Sequence, residues 1–325
     1  MLSVIFVVST LAVLKSQDGP ASGSRDDGRE AHALLARMKT SRDLLKSGTY
    51  RASGRLLTNR RSLGAQQPQG EVQIFSAFDL DKGLFRFDRT QEVIRQIGAD
   101  SVPGQEIGKY VRTPELAITW VNPWQHKNMA RATAVGIHQP TIKPTILISP
   151  VDVRSLGLSL WDDFWAGTPF TECYEAWDKD SLIGVFPEAN GVYRLRLERS
   201  GRRGTYVPQT IWVDEHQGFS PVRLSYIIPP AEPGLPDQLL SECQVRWKNE
   251  AGVWVPASLH FERRVRGHLN DFCALRFEWI SVNKPIPQEL FTADGLDVPV
   301  GTQVVDYRAA PPRRMGQVKG LAPPK

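Results

Sequence analysis

Apolar positions along the chain follow two periods. From Asp27, an i, i+3, i+4 pattern runs through Ala31, Leu34, Leu35, Met38, Ser41 and Leu45, the spacing of one apolar helical stripe. Asp27 stands three residues before Glu30 like a capping box, and Gly48 offers a stop, which predicts an amphipathic helix of about twenty residues. After Gly48 the period becomes two. Tyr50, Ala52, Gly54 and Leu56 alternate with Arg51, Ser53 and Arg55. Residues 63–70 read as a turn, and 72–78 and 84–88 as strands joined through Asp81-Lys82-Gly83. Residues 91–97, 109–113 and 116–121 continue an antiparallel meander.

Residues 122–150 contain Pro123, Pro140 and Pro144 and read as long surface loops with one short helix. Residues 150–165 are a helical candidate broken by Gly157. Thr168-Pro169 combines an N-cap with proline at the first helical position. The helix it opens carries Phe170, Cys173, Tyr174 and Trp177 at i, i+3, i+4 and i+7. The second half is strand-like. Tyr193, Leu195 and Leu197 alternate with Arg194, Arg196 and Glu198, and 205–213, 219–228 and 240–247 follow, separated by turns at 214–218 and 229–236. Val253, Val255, Ala257, Leu259 and Phe261 share one face, as do Cys273, Leu275, Phe277 and Trp279, with Gly252 and 267–270 as turns. Two short segments within 290–305 close the pattern. About eleven strands and three helices predict an α+β fold, a single curved antiparallel sheet with helices covering its concave face. Strict alternation places Tyr193, Leu195, Leu197, Cys273, Leu275, Phe277 and Trp279 on that face, because a slip of one residue would expose them all.

Composition narrows the function classes. The chain has 325 residues, 41% of them hydrophobic and 23% charged, which suffices for a core and excludes wholesale disorder, collagen and coiled coil. The net charge is +5, but 311–325 contributes Arg313, Arg314, Lys319 and Lys325 without an acid. Removing those four leaves 36 bases against 35 acids, so no nucleic-acid partner is expected. Residues 2–14 form an uncharged, mostly apolar run. That is short of the roughly 20 residues of a spanning helix and within the roughly 7–15 of a secretory signal core. Ala21-Ser22-Gly23 supplies small residues for processing. No Lys or Arg precedes the run, and an N-terminal anchor or a misplaced start codon are the alternatives. Export predicts a mature start between about residues 16 and 24 and a periplasmic or secreted location, with transient membrane contact only. The expected organisation is a signal-like segment and flexible leader at 1–27, a domain at 28–310 with an insert at about 91–180, and a basic Pro/Gly tail at 311–325.

Catalytic and metal templates fail individually. There is no G-x-S-x-G and no G-x-G-x-x-G. Gly104-Gln105-Glu106-Ile107-Gly108-Lys109 is one residue short of a phosphate loop, lacks its Ser/Thr, and reads as a loop entering a strand. His32, His126, His138, His216, His260 and His268 never pair at i, i+3 or i, i+4, and Cys173, Cys243 and Cys273 give no metal spacing. His260 falls in a polar-facing register. Asp162-Asp163 and Asp178/Asp180 could do acid–base work, but they alternate with aromatics as on a polar helix face; Asp79/Asp81 sits at a hairpin. No enzyme, cofactor or metal is expected. The unusual feature is aromatic density: Trp161, Phe164, Trp165, Phe170, Tyr174 and Trp177 lie close together. Two readings stay open, a seal over the sheet's core, or a lid over an apolar groove holding an acyl chain or a lipid-modified partner.

Several segments carry a resemblance. The long helix runs into Ser47-Gly48-Thr49-Tyr50-Arg51-Ala52-Ser53-Gly54. Residues 211–223 join two strands through Asp214-Glu215-His216-Gln217-Gly218, and Asn283-Lys284-Pro285-Ile286-Pro287, Phe291 and 298–306 form a closing pattern. Over 28–90 and 191–308 the chain resembles the bacterial periplasmic lipoprotein-carrier superfamily (LolA/LolB-like), which includes outer-membrane receptors and stress-sensing regulators; 91–180 is a longer insert than the carriers have. The resemblance implies a half-open β-barrel whose helix-covered concave face binds acyl chains. The function expected from it is that of a non-enzymatic binder of lipid or lipidated protein, with Trp161, Phe164, Trp165, Phe170, Tyr174, Trp177, Tyr193, Leu195 and Phe277 as ligand-binding candidates. The alternative is a cell-envelope protein-interaction or sensor module, with an envelope protein partner and a helix-filled sheet. A hydrolase with a site assembled from remote residues is the third class.

Overall fold

The computed structural model describes residues 27–58, 66–97, 100–125, 134–141, 151–158, 169–179, 181–200, 206–230, 232 and 234–319. It overturns the expected α+β half-barrel of about eleven strands under helices. The chain is mostly β: one open, mixed sheet of fifteen strands, with two α-helices among the described residues, α1 (Asp27–Asp43) and α2 (Phe170–Lys179). The first arm comprises β1 (Ser47–Thr58), β2 (Gln66–Asp79), β3 (Leu84–Ile97), β4 (Asp100–Arg112), β5 (Ala117–Gln125) and β6 (Val135–His138). The second comprises β7 (Ser181–Pro187), β8 (Val192–Ser200), β9 (Tyr206–Asp214), β10 (Ser220–Ile228), β11 (Leu239–Glu250), β12 (Val253–Val265) and β13 (His268–Val282). The last strands among the described residues are β14 (Gln303–Asp306) and β15 (Arg313–Gln317). The first arm marches outward from β1. The chain then crosses to the far edge, and the second arm marches back until β13 pairs antiparallel with β1. β14 returns beside β6 in parallel, with Val304 opposite Val135, which makes the sheet mixed.

The additional strands have a physical explanation. β6, β7 and β15 are short and lack clean alternation, so the partner that holds each one is not visible locally. Residues 84–88 and 91–97, read as two strands, are one continuous β3; the phosphate-loop look-alike lies wholly inside β4; and 122–125, read as loop, extend β5. The described part of the expected turn at 63–70, residues 66–70, belongs to β2, with a register shift between Pro68 and Val72. In 151–158 the helical candidate is only a 3₁₀ turn, Val153–Ser155. Residues 313–317, expected in a tail, form the outermost strand. α1 stops at Asp43, before the expected Gly48, which lies in β1. A Cβ there would sit 2.7 Å from the Trp279 ring.

Turn chemistry explains the tight register of the second arm. The Ala251-Gly252 and Arg266-Gly267 connections have positive φ at both residues (53° and 88°, 50° and 79°), as two-residue hairpins matching strand twist require. At 214–218, the Asp214 carboxylate accepts the His216 N–H (2.8 Å) and Gly218 adopts φ 66°. Alternation then sorts side chains to two faces. One face gathers Tyr50, Ala52, Leu56, Val72, Ile74, Phe87, Leu195, Ile211, Leu224, Val245, Val255, Phe261, Cys273 and Leu275. It receives Ala31, Leu34, Leu35 and Met38 of α1. At about 1.5–3 kcal/mol for each large apolar side chain, the α1 stripe contributes several kcal/mol of burial. The other face is covered over β2–β6 by the 286–318 segment, where Ile286, Phe291, Leu296, Val298 and Val318 pack on Ala77, Leu84, Val111, Ile118 and Trp120.

Cationic side chains bind that segment. Arg86 donates to the Gly295 carbonyl (2.5 Å) and pairs with Asp88 (2.6 Å), while Lys109 donates to the Leu296 and Asp297 carbonyls (2.7 and 2.8 Å). Burial raises the Asp88 carboxyl and lowers the Lys109 ammonium from their ordinary values. Asn283 fastens the centre of the sheet: its Oδ1 accepts Lys46 N and Ser47 N (2.8 and 3.2 Å), and its Nδ2 donates to Leu44 O (2.7 Å). The sheet edges are both guarded. α1 lies against β7, and β15 carries Arg313, Arg314 and a register shift opposite Val304/Val305, devices that discourage edge-to-edge pairing.

Candidate functional site

The expected ligand-binding residues divide into three groups. Phe170, Leu195 and Phe277 are 0%, 0% and 8% exposed and belong to the large core; Tyr174 and Tyr193 are partly buried against it. Trp161, Phe164 and Trp165 lie outside the described residues, as does the side chain of Trp177. The same holds for Asp162, Asp163, Asp180, the side chain of Asp178, and the apolar run at 2–14. Of the strand residues expected together, Cys273, Leu275, Phe277, Trp279, Tyr193 and Leu195 do share the helix-bearing face; the Leu197 side chain is outside the described residues.

Local chemistry explains how the helices seat. The α2 stripe enters the core through Phe170 and Cys173, with Tyr174 beside Phe170 at a ring separation of 6.1 Å. Thr168 lies outside the described residues, and the Phe170 N–H is accepted by Asp152 (3.0 Å), an anion at a helix N-terminus. Arg154 grips Asp152 (2.8 Å), approaches Asp43 at the end of α1 (3.8 Å), and covers the Phe170 ring at 5.2 Å. One arginine thus ties α1, the 3₁₀ turn and α2 together. On the rest of this face Tyr50 meets Phe277 and Trp279 at 5.7 and 5.1 Å. The Tyr193 hydroxyl donates to Glu215 (3.1 Å), and that carboxylate holds the phenol above its ordinary pKa.

Two buried arginines escaped the sequence reading. Arg42, 1% exposed, donates to the Ser220 hydroxyl and the Trp254 carbonyl (3.2 Å) and lies 4.0 Å from the Trp247 ring centroid. Burial pulls its pKa down to about 9; the ring face and the two acceptors offset part of that cost. It anchors the C-terminal turn of α1, where a cation also suits the helix dipole. Arg89, on β3, is buried on the helix-bearing face and donates to Gln91; Glu106 stands opposite Gln91. Burial lowers Arg89 to about 10, while Cys273 and Glu106 oppose the shift. Neither arginine carries a periodic signal, because each sits at a position that an apolar residue would fill equally well in a pattern.

Histidine–carboxylate pairs among the described residues lie at the surface. His260 meets Glu262 at 3.3 Å and His216 meets Glu215 at 3.9 Å, both histidines on the surface. No group of three or more His, Cys, Asp or Glu among the described residues could hold a metal ion. Cys243 and Cys273 are free thiols separated by Phe261 on the intervening strand. Two strand spacings, about 9.6 Å, exceed the reach of a disulfide. No described helix is long and apolar enough to cross a membrane. Comparison with protein families and with curated proteins finds no match to this chain.

Proposed function

We propose that the chain is an exported, non-enzymatic interaction or sensor module of the cell envelope, in which the chain's own helices pack into the core on one side of the sheet. The observation that supports this reading is the occupancy of that side. Ala31, Leu35, Met38 and Phe170 are all 0% exposed, and Leu195 and Phe277 are used in the same core. A groove for acyl chains needs those surfaces free. Export rests on the apolar run at 2–14 and the polar leader behind it. The superfamily resemblance supports the same reading, since that group includes stress-sensing regulators as well as carriers.

Acyl-chain binding is the second reading, and α2 favours it. This helix is ten residues long and meets the core through one stripe, so lifting it would uncover apolar surface. The deciding experiment is mass spectrometry of lipids co-purifying with full-length protein expressed through a secretory route, with titration of a fluorescent fatty acid. The module reading expects neither stoichiometric lipid nor saturable uptake of the probe. One acyl lipid per chain, displaced by the probe, would overturn it and establish the carrier reading.

A further inference from the structure

The face opposite the helices is closed over β2–β6 by the 286–318 segment, but over β1, β13, β12 and β11 its outward side chains remain accessible. Arg51, Ser53, Arg55, Arg276, His260 and Arg246 are all exposed. Register orders them. Arg246 lies opposite Ser258, Ser258 opposite Arg276, and Arg276 opposite Ser53, so guanidinium and hydroxyl alternate across four strands. Arg51 and Arg55 flank Ser53 on β1 and lie diagonal to Arg276, about 7–8 Å away between Cα atoms. The row beginning at Arg55 continues through Ala274, His260 and Gln244 to Arg223.

The side chains of Arg51, Arg55, Arg246 and Arg276 make no ion pair, hydrogen bond or ring contact with any described residue. Glu278 stands opposite Arg51 and Glu71 opposite Arg55, yet neither forms an ion pair with its neighbour. Other arginines on this face are engaged: Arg223 by Glu242 (2.5 Å) and the Trp212 ring (4.4 Å), Arg194 over Phe186 (4.8 Å), and Arg264 by Glu262 (2.9 Å). Four unpaired like charges held by a rigid sheet repel one another and attract an anion.

We infer that this array is a binding track for a linear acidic polysaccharide lying across the strands. Its carboxylates would meet Arg55, Arg276 and Arg246, and its hydroxyls Ser53, Ser258, His260 and Gln244. Single-stranded nucleic acid needs free rings for stacking, whereas Trp212 and Phe186 already carry guanidinium groups and Phe272 meets His260 edge-on at 5.4 Å. A bilayer surface needs apolar anchors, and the rows through Arg276 and Arg55 present Arg, Ser, His, Gln and Ala. An acidic peptide would match the charge and leave the hydroxyl and amide positions unused.

The test is fluorescence anisotropy of the full-length protein with labelled polygalacturonate oligomers. Poly-dT, polyglutamate of equal charge and phosphatidylglycerol vesicles serve as competitors. The expected result is binding that weakens with salt and falls roughly fivefold or more, about 1 kcal/mol, in Arg276→Ser and in Arg246→Ser. Arg266→Ser, at a hairpin outside the array, should bind as the unaltered chain does. The array residues are exposed, so melting temperature should hold; if Arg276→Ser melts early, Arg246→Ser decides. No binding, binding indifferent to both substitutions, or equal competition by polyglutamate, poly-dT or vesicles would overturn the inference.

Discussion

Phe170→Ala separates a helix that plugs the sheet from one that opens. Phe170 is 0% exposed, packs in the large core, lies 6.1 Å from the Tyr174 ring and carries the Arg154 guanidinium at 5.2 Å. Truncation removes the ring while leaving the backbone bond to Asp152, so the start of α2 should survive. A buried Phe→Ala change costs about 3–5 kcal/mol, the spread reflecting how far the surroundings collapse. In a chain of this size that lowers Tm on the order of 10 °C. Guanidinium titration followed by tryptophan fluorescence measures the loss, and a fluorescent fatty acid added to the same samples measures uptake. A plug loses stability without gaining a saturable site. A loss below about 1 kcal/mol, outside the range for buried aromatics, accompanied by a changed affinity for the fatty acid, would refute the plug.

Asn283→Ala removes three side-chain hydrogen bonds at about 0.5–1.5 kcal/mol each and an asparagine suited to φ 52°. It should cost about 2–4 kcal/mol in a urea melt, with Asn283→Gly recovering only the backbone share; a neutral Asn283→Ala would remove the fastening role. Arg86→Met leaves Asp88 buried without its main partner and frees the Gly295 carbonyl, which should cost about 3–5 kcal/mol and speed amide exchange across 288–298; unchanged exchange there would count against it. Burial pushes the Cys243 thiol up to about 12 from 9.0 and raises Cys273 too. Above pH 9.0 the unfolded chain loses thiol protons that the folded chain keeps, so stability should fall as pH rises toward about 12. The slope is at most about 1.4 kcal/mol per pH unit for each thiol. Cys243→Ala should flatten the slope in melts between about pH 9 and about pH 11, and an identical slope would show that the thiol is not the cause.

Local patterns were legible wherever one face of an element is buried and the other wet. The stripe Ala31, Leu34, Leu35, Met38 marked α1, and alternation in β13 assigned Cys273, Leu275 and Phe277 to one side. Asp214–Gly218 was readable as a turn because its chemistry is complete within five residues. The same reading put Phe170 in the stripe that enters the core, although periodicity does not distinguish a plug from a lid. It missed Arg42 and Asp152, whose roles depend on Trp247 and on the Phe170 N–H, partners that close only after folding. It also miscounted the sheet. β7 and β15 are held as edge strands by pairing with β8 and β14, and β6 is strand because β5 and the returning β14 flank it. Alternation reports which side of a strand meets water, a property of each residue and its immediate neighbours. Strand order, the parallel β6–β14 pair and the meeting of β1 with β13 depend on hydrogen bonds between segments far apart in the chain, and only the tertiary structure decides them.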